Sequence, residues 1–107
     1  AFVRGAADVS GAAEADWARA QFLAARGDDD AADAAFRAAI AAVDPLEFVS
    51  LKAFFRLERA EFLLTRKRIA EAAALLAEVE RGAPPPPWNY LPDRRRALAA
   101  ATAAEQV

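Results

Sequence analysis

An octapeptide that occurs twice limits the fold of this chain more than any other feature. Residues 19–26 read RAQFLAAR and residues 59–66 read RAEFLLTR, so the second copy follows the first at an offset of 40 residues. The correspondence extends upstream, where Trp17 matches Leu57. A period of about 40 residues that contains two helices is typical of repeated helical hairpins, each of which buries a face on the next. The repeat therefore predicts two similar hairpins.

Alanine makes up nearly a third of the sequence, whereas the 107 residues include only 4 Gly and 6 Pro. Alanine has the highest helix propensity of all residues, while strands favour the β-branched side chains that are scarce here. We therefore expect an all-α fold of about five helices and exclude all-β and doubly wound α/β folds. The length predicts a single domain over residues 1–107.

The first hairpin is predicted over about residues 10–43. Ser10 is a suitable N-cap for a first helix that ends at Arg26, and Gly27 follows at the position that favours a left-handed residue. The acidic run that follows predicts a turn in which Asp30 caps the second helix.

The second hairpin is predicted over about residues 45–81. The segment from Asp44 to Glu47 combines an acidic N-cap, a proline at the first helical position and a glutamate at the third, which indicates a helix start at Pro45. This third helix would run to about Lys67, and a fourth from about Ile69 to Arg81.

The remainder of the chain is predicted to be a connector over residues 82–91 and a capping helix over about residues 92–106. Four consecutive prolines, 84–87, favour an extended polyproline II connector. Trp88, Tyr90 and Leu91 are expected to hold that connector in place.

The two hairpins resemble tetratricopeptide repeats. Trp17-x2-Ala20 stands where that family has W-x2-L, Ala32-x3-Phe36 matches its A-x3-F, and Pro45 closes the unit. In the second hairpin the same places are filled by Leu57, Ala60, Leu64, Ala72 and Leu76. The resemblance covers about residues 11–81 and implies antiparallel hairpins stacked as a short right-handed solenoid.

The sequence also departs from this family. The usual unit has about 34 residues rather than 40, and Gln21 and Glu61 replace the glycine that follows W-x2-L. Two other interpretations therefore stay open, namely a second helical-hairpin repeat family with longer units and a plain helical bundle.

The tetratricopeptide resemblance implies a protein–protein interaction module that holds a peptide or protein partner in a groove lined by the first helix of each hairpin. The residues that this assigns to the groove are Phe22, Arg26, Phe55, Glu58, Phe62 and Arg66. For Phe55 and Phe62 the alternative is a place in the core, because aromatic residues at helical spacing are usually buried. The module is expected to belong to a larger bacterial-type protein.

Composition excludes several other functions. The chain contains no His, Cys or Met, so it lacks the commonest general base, every thiol nucleophile and the usual metal ligands, and we expect no enzyme, metal site or cofactor. A net charge of −2 and a pI near 5.1 disfavour nucleic acid as a partner. No segment approaches the roughly 20 apolar residues of a membrane span. We expect a cytoplasmic protein; a cleaved signal with a periplasmic location, and the oligomeric state, stay open.

Two alternatives of another class are a ligand-sensing helical domain, which requires a sizeable cavity, and a nucleic-acid-associated domain, which requires the arginines to cluster. The run Arg94 to Arg96 lies at a predicted helix start, where the helix dipole disfavours cations, so it is a candidate for anion binding. Glu58 and Glu61 are interpreted as surface partners of Arg59.

Overall fold

The structure of the protein is a computed structural model, in which residues 6–47, 49–82 and 92–106 are described. The regular elements in these ranges are helices, and the all-α prediction with five helices is confirmed there. They are α1 Ala6–Ala25, α2 Asp29–Val43, α3 Val49–Thr65, α4 Ile69–Gly82 and α5 Pro92–Glu105. The chain divides into two compact units, Ala1–Phe48 and Val49–Val107, so α1 and α2 belong to the first unit and α3 to α5 to the second.

In the first unit, α1 packs against α2 as a helical hairpin. The buried side chains between these two helices are mostly alanines, which allow the helices to approach closely. Within residues 11–25 of α1 they are Ala13 and Ala20, and those on α2 include Ala32, Ala35, Phe36, Ala39, Ile40 and Val43. α1 begins at Ala6, four residues before the predicted cap Ser10, because the helix-favouring Ala6 and Ala7 extend it.

The turn between α1 and α2 is a Schellman motif. The N–H of Asp28 donates to the C=O of Leu23 at 2.9 Å, and the N–H of Gly27 donates to the C=O of Ala24 at 3.1 Å. Gly27 has φ +83°, so its predicted left-handed conformation is confirmed. Asp28, rather than Asp30, is the N-cap of α2, because the residue that completes the Schellman turn starts the next helix directly.

The turn between α3 and α4 has the same two Schellman hydrogen bonds. The N–H of Arg68 donates to the C=O of Leu63 at 2.9 Å, and the N–H of Lys67 donates to the C=O of Leu64 at 3.1 Å. Lys67 takes the place of Gly27 and has φ +62°. The 40-residue repeat in sequence is therefore a repeat of local structure, with lysine in a conformation that favours glycine.

The predicted start of the third helix at Pro45 is wrong. Asp44 is the C-cap of α2, with helical angles φ −58° and ψ −37°, and its N–H donates to the C=O of Ile40 at 3.0 Å. An N-cap residue requires a non-helical conformation, so Asp44 cannot begin a new helix there. α3 instead starts at Val49.

In the second unit, α4 packs against α3, and α5 packs against both. The buried apolar side chains are Phe55, Leu57, Ala60, Phe62, Leu63, Ala72, Leu75, Leu76 and Val79. α3 ends at Thr65, two residues before the predicted end, because Lys67 has left the helical conformation. The ends of α4 and α5 agree with the predictions within a residue or two. The predicted polyproline connector, with Trp88, Tyr90 and Leu91, lies outside the described residues.

Candidate functional site

Phe22 and Arg26 form an exposed aromatic and cationic pair near the end of α1. The Phe22 side chain is 59% exposed, and the Arg26 guanidinium carbon lies 5.4 Å from the centre of its ring. Arg26 Nε also lies 3.6 Å from Asp28 Oδ2. A guanidinium over an aromatic face is attracted by the ring quadrupole, so Arg26 is oriented while it stays accessible.

Phe62 and Arg66, the equivalents one repeat later, form the same pair in a different environment. The Arg66 guanidinium carbon lies 5.0 Å from the centre of the Phe62 ring. Phe62 is only 6% exposed, and Arg66 Nη1 donates to Thr65 Oγ1 at 3.0 Å. Each arginine follows its phenylalanine by four residues, which places both on one face of the helix.

Burial corrects the prediction that Phe55 and Phe62 line a groove. Phe55 is 2% exposed and packs edge to face with Phe54, with ring centres 5.4 Å apart. A groove residue must reach a ligand, so both rings belong to the core of the second unit, as the alternative interpretation held. Phe22 and Arg26 are the predicted groove residues that are clearly exposed. A groove shared by both hairpins stays a prediction.

Glu58 is held within the protein by an arginine of α5. Arg94 Nη2 donates to Glu58 Oε1 at 2.7 Å and to Glu61 Oε2 at 2.9 Å. The guanidinium carbon of Arg94 also lies 5.9 Å from the centre of the Phe54 ring. Arg59, the partner predicted for these two carboxylates, lies with its Nη2 3.7 Å from Glu71 Oε2, and its pairing with Glu58 and Glu61 stays a prediction.

Arg95 makes a second contact between α5 and the rest of the unit. Its Nε and Nη2 both donate to Glu80 Oε1, at 2.9 and 2.7 Å, and its side chain is only 7% exposed. Arg96, by contrast, is 78% exposed and lies 3.7 Å from Asp93. The anions that Arg94 and Arg95 meet are therefore carboxylates of α3 and α4.

The electrostatics of Arg94 follow from this position. Partial burial of the guanidinium lowers its pKa, but hydrogen bonds to Glu61 and Glu58 outweigh that effect, so the pKa is raised above its usual value. Because arginine is charged at every physiological pH, pH changes in that range do not remove the charge of Arg94 from this contact. It positions α5 and does not provide an acid or a base.

The described residues also bear on a metal site and on a membrane span. Residues 6–47, 49–82 and 92–106 contain no group of three or more acidic, His or Cys side chains arranged to hold a metal ion. None of the helices described is both long and apolar enough to cross a membrane.

Comparisons with protein-family models, curated proteins and solved structures found no match for this chain. The tetratricopeptide resemblance therefore rests on the residues quoted above and stays a prediction.

Proposed function

We propose that this chain is a protein–protein interaction module that binds a partner through the exposed face of α1. The single observation that supports this most strongly is the exposure of Phe22, when the equivalent ring of the repeat, Phe62, is buried. The turns that follow the two rings have the same hydrogen bonds, so local structure does not require Phe22 to be exposed. Aromatic side chains are enriched at protein–protein interfaces relative to the rest of the surface.

The exposed face continues along α1 as a stripe. Ala15, Arg19, Phe22 and Arg26 recur at helical spacing and are all exposed. Their equivalents on α3 are the buried Phe55 and Phe62 and the partly buried Arg59 and Arg66. Equivalent positions of the repeat are thus buried or partly buried on α3 and exposed on α1. A partner that packs on the exposed positions of α1 would give them a similar environment.

The energetics of binding favour Phe22 and Arg26 as the centre of an interface. Aromatic and arginine side chains are enriched among the residues that dominate binding energy. Complete burial of a phenylalanine side chain contributes about 1.5–3 kcal/mol. Arg26 is already placed over the ring, so less side-chain entropy is lost when a carboxylate of the partner binds it. The partner we propose is therefore a peptide or helix with an apolar side chain next to an acidic one.

The alternatives receive less support from the structure. Arg56, Arg59, Arg68, Arg94 and Arg95 each have a carboxylate oxygen at 2.7–3.7 Å. Their charge is largely balanced within the second unit, which disfavours a phosphate-binding surface. We assign no catalytic step, since the sequence offers no His or Cys. The cytoplasmic location and the membership of a larger protein stay predictions.

The experiment compares Phe22→Ala and Arg26→Ala with Arg37→Ala, an exposed arginine on α2. Proteins captured by the wild-type chain are identified, purified and titrated against each variant by calorimetry. We expect Phe22→Ala to weaken binding at least tenfold, or about 1.4 kcal/mol, with an unchanged melting temperature, and Arg37→Ala to bind normally. Wild-type affinity of Phe22→Ala for every such partner would refute the proposed surface.

A further inference from the structure

The helix α5 is held to its unit mainly by charge. Its one large apolar side chain among the described residues is Leu98, which is half-buried, and its buried side chains are Arg95 and Thr102. Thr102 Oγ1 donates to the C=O of Leu98 at 2.8 Å, a bond within α5 itself. Among the described side chains of α5, little apolar surface therefore stabilises the docked position of this helix.

Ion pairs hold α5 at both ends. Near its N-terminus, Arg94 and Arg95 bind Glu58, Glu61 and Glu80 of α3 and α4. Near its C-terminus, Glu105 Oε1 lies 3.2 Å from Lys67 Nζ. Salt screens such contacts, and segments with few buried apolar contacts open most easily. α5 is thus the helix of this unit best suited to leave its site and return.

The site that α5 occupies is specific for two neighbouring guanidinium groups. Glu58 and Glu61, one turn apart on α3, receive one arginine beside the Phe54 ring, and Glu80 on α4 receives the next. We name Phe54, Glu58, Glu61 and Glu80 the arginine-receiving face. A helix that fits it must present two consecutive arginines at its N-terminal end, and every copy of this chain carries such a helix.

We propose that α5 exchanges between copies of the chain, so that the arginine-receiving face of one copy binds α5 of a second copy and the two form a dimer. Each contact made within one copy is reproduced between copies, which makes such exchange a low-energy route to dimers. The sequence between α4 and α5 contains four consecutive prolines, a composition that is expected to favour an extended connector.

The exchange depends on protein concentration. A short linker gives a helix an effective concentration on the order of millimolar at its own site. The chain is then monomeric when dilute and dimerises as its concentration approaches that value. The proposal is independent of the α1 surface, since Phe22 and Arg26 contribute nothing to it.

The first test inverts the charges on each side of the contact in separate chains. One variant carries Arg94→Glu and Arg95→Glu; the other carries Glu58→Arg, Glu61→Arg and Glu80→Arg. In each variant alone, α5 and the arginine-receiving face carry charges of the same sign, so α5 is repelled both by its own copy and by a second copy. We therefore expect light scattering to give the mass of a monomer. Mixed in equal amounts, each α5 matches the other chain's arginine-receiving face, and we expect the measured mass to double.

Two controls keep this test decisive. One chain that carries all five substitutions has matched charges within itself, and it must be folded by circular dichroism and monomeric when dilute. In the second control, the variant with Arg94→Glu and Arg95→Glu is mixed with a different chain, in which the exposed acids Glu14, Asp30 and Glu47 are replaced by arginine. This chain has the same net charge as the variant with three substitutions in the arginine-receiving face. The mixture must stay monomeric. If the five-fold variant folds but the matched mixture stays monomeric, the exchange does not occur.

The second test uses the unmodified sequence. Isotopically light and heavy copies are mixed at high concentration in about 1 M salt, which shortens the screening length to about 3 Å, and are returned to low salt. A carbodiimide then couples Lys67 to Glu105. Exchange predicts cross-linked peptides with one light and one heavy partner, up to half of the total at complete exchange. Cross-links only between partners of the same label would overturn the proposal.

Discussion

Replacement of Lys67 by glycine should give a more stable protein than replacement of Lys67 by alanine. Lys67 has φ +62° in the turn after α3, a conformation that is unfavourable for any residue with a Cβ atom. The equivalent residue of the first hairpin, with the same hydrogen bonds, is Gly27. The two positions therefore form a natural pair in which opposite substitutions should have opposite effects on stability.

The size of the effect follows from two opposing terms. A left-handed conformation costs a non-glycine residue roughly 1–2 kcal/mol, and glycine loses about 0.4–1 kcal/mol more than alanine through the entropy of the unfolded chain. The net gain for Lys67→Gly over Lys67→Ala is then about 0.5–1 kcal/mol. The exposed ion pair between Lys67 and Glu105 contributes about 0–1 kcal/mol. Both substitutions remove this ion pair, so the difference in stability between Lys67→Gly and Lys67→Ala reports the backbone conformation.

Gly27→Ala is the matched reverse substitution. A Cβ atom at Gly27 meets no other atom within 4 Å, so the loss, about 0.5–1 kcal/mol, comes from the backbone alone. The assay is urea unfolding followed by far-UV circular dichroism, in which the midpoint should shift while the slope stays constant. The reasoning fails if Lys67→Gly is no more stable than Lys67→Ala.

Three further substitutions test the packing. Arg95→Ala removes the buried contact of α5 and should reduce the protection of α5 amides from hydrogen exchange by about 1–3 kcal/mol, whereas Arg96→Ala should leave it unchanged. Ala20→Leu overfills a fully buried position and should cost about 1–3 kcal/mol in urea unfolding, against no more than about 0.5 kcal/mol for the exposed Ala18→Leu. Leu57→Ala empties a fully buried site and should cost about 2–5 kcal/mol in the same assay; a cost below about 1 kcal/mol would contradict its place in the core.

Local signals in the sequence predicted much of the fold. The alanine content indicated helices, Gly27 marked the end of α1, and the repeated octapeptide predicted turns that prove to have the same hydrogen bonds. The local signals failed where two of them competed. Asp44 and Pro45 form a good helix start, but α2 continues through Asp44 and uses its N–H.

The candidate site was less predictable because it depends on what each side chain meets. Phe22 and Phe62 have the same local sequence and the same arginine over the ring, yet one is exposed and the other is buried. Their difference comes from the tertiary structure, so the local sequence was compatible with both a groove and a core position for Phe62.

The sequence by itself determined the helices and their repeated turns, because the hydrogen bonds of a helix and of a Schellman motif join residues at most five apart. Only the tertiary structure decided the partners of the charged side chains. Arg94 and Arg95 meet carboxylates 15 to 36 residues away, and which of the 16 acidic residues they meet depends on how α5 packs against α3 and α4. That packing sums many weak contacts over the whole unit, and no short stretch of sequence encodes it.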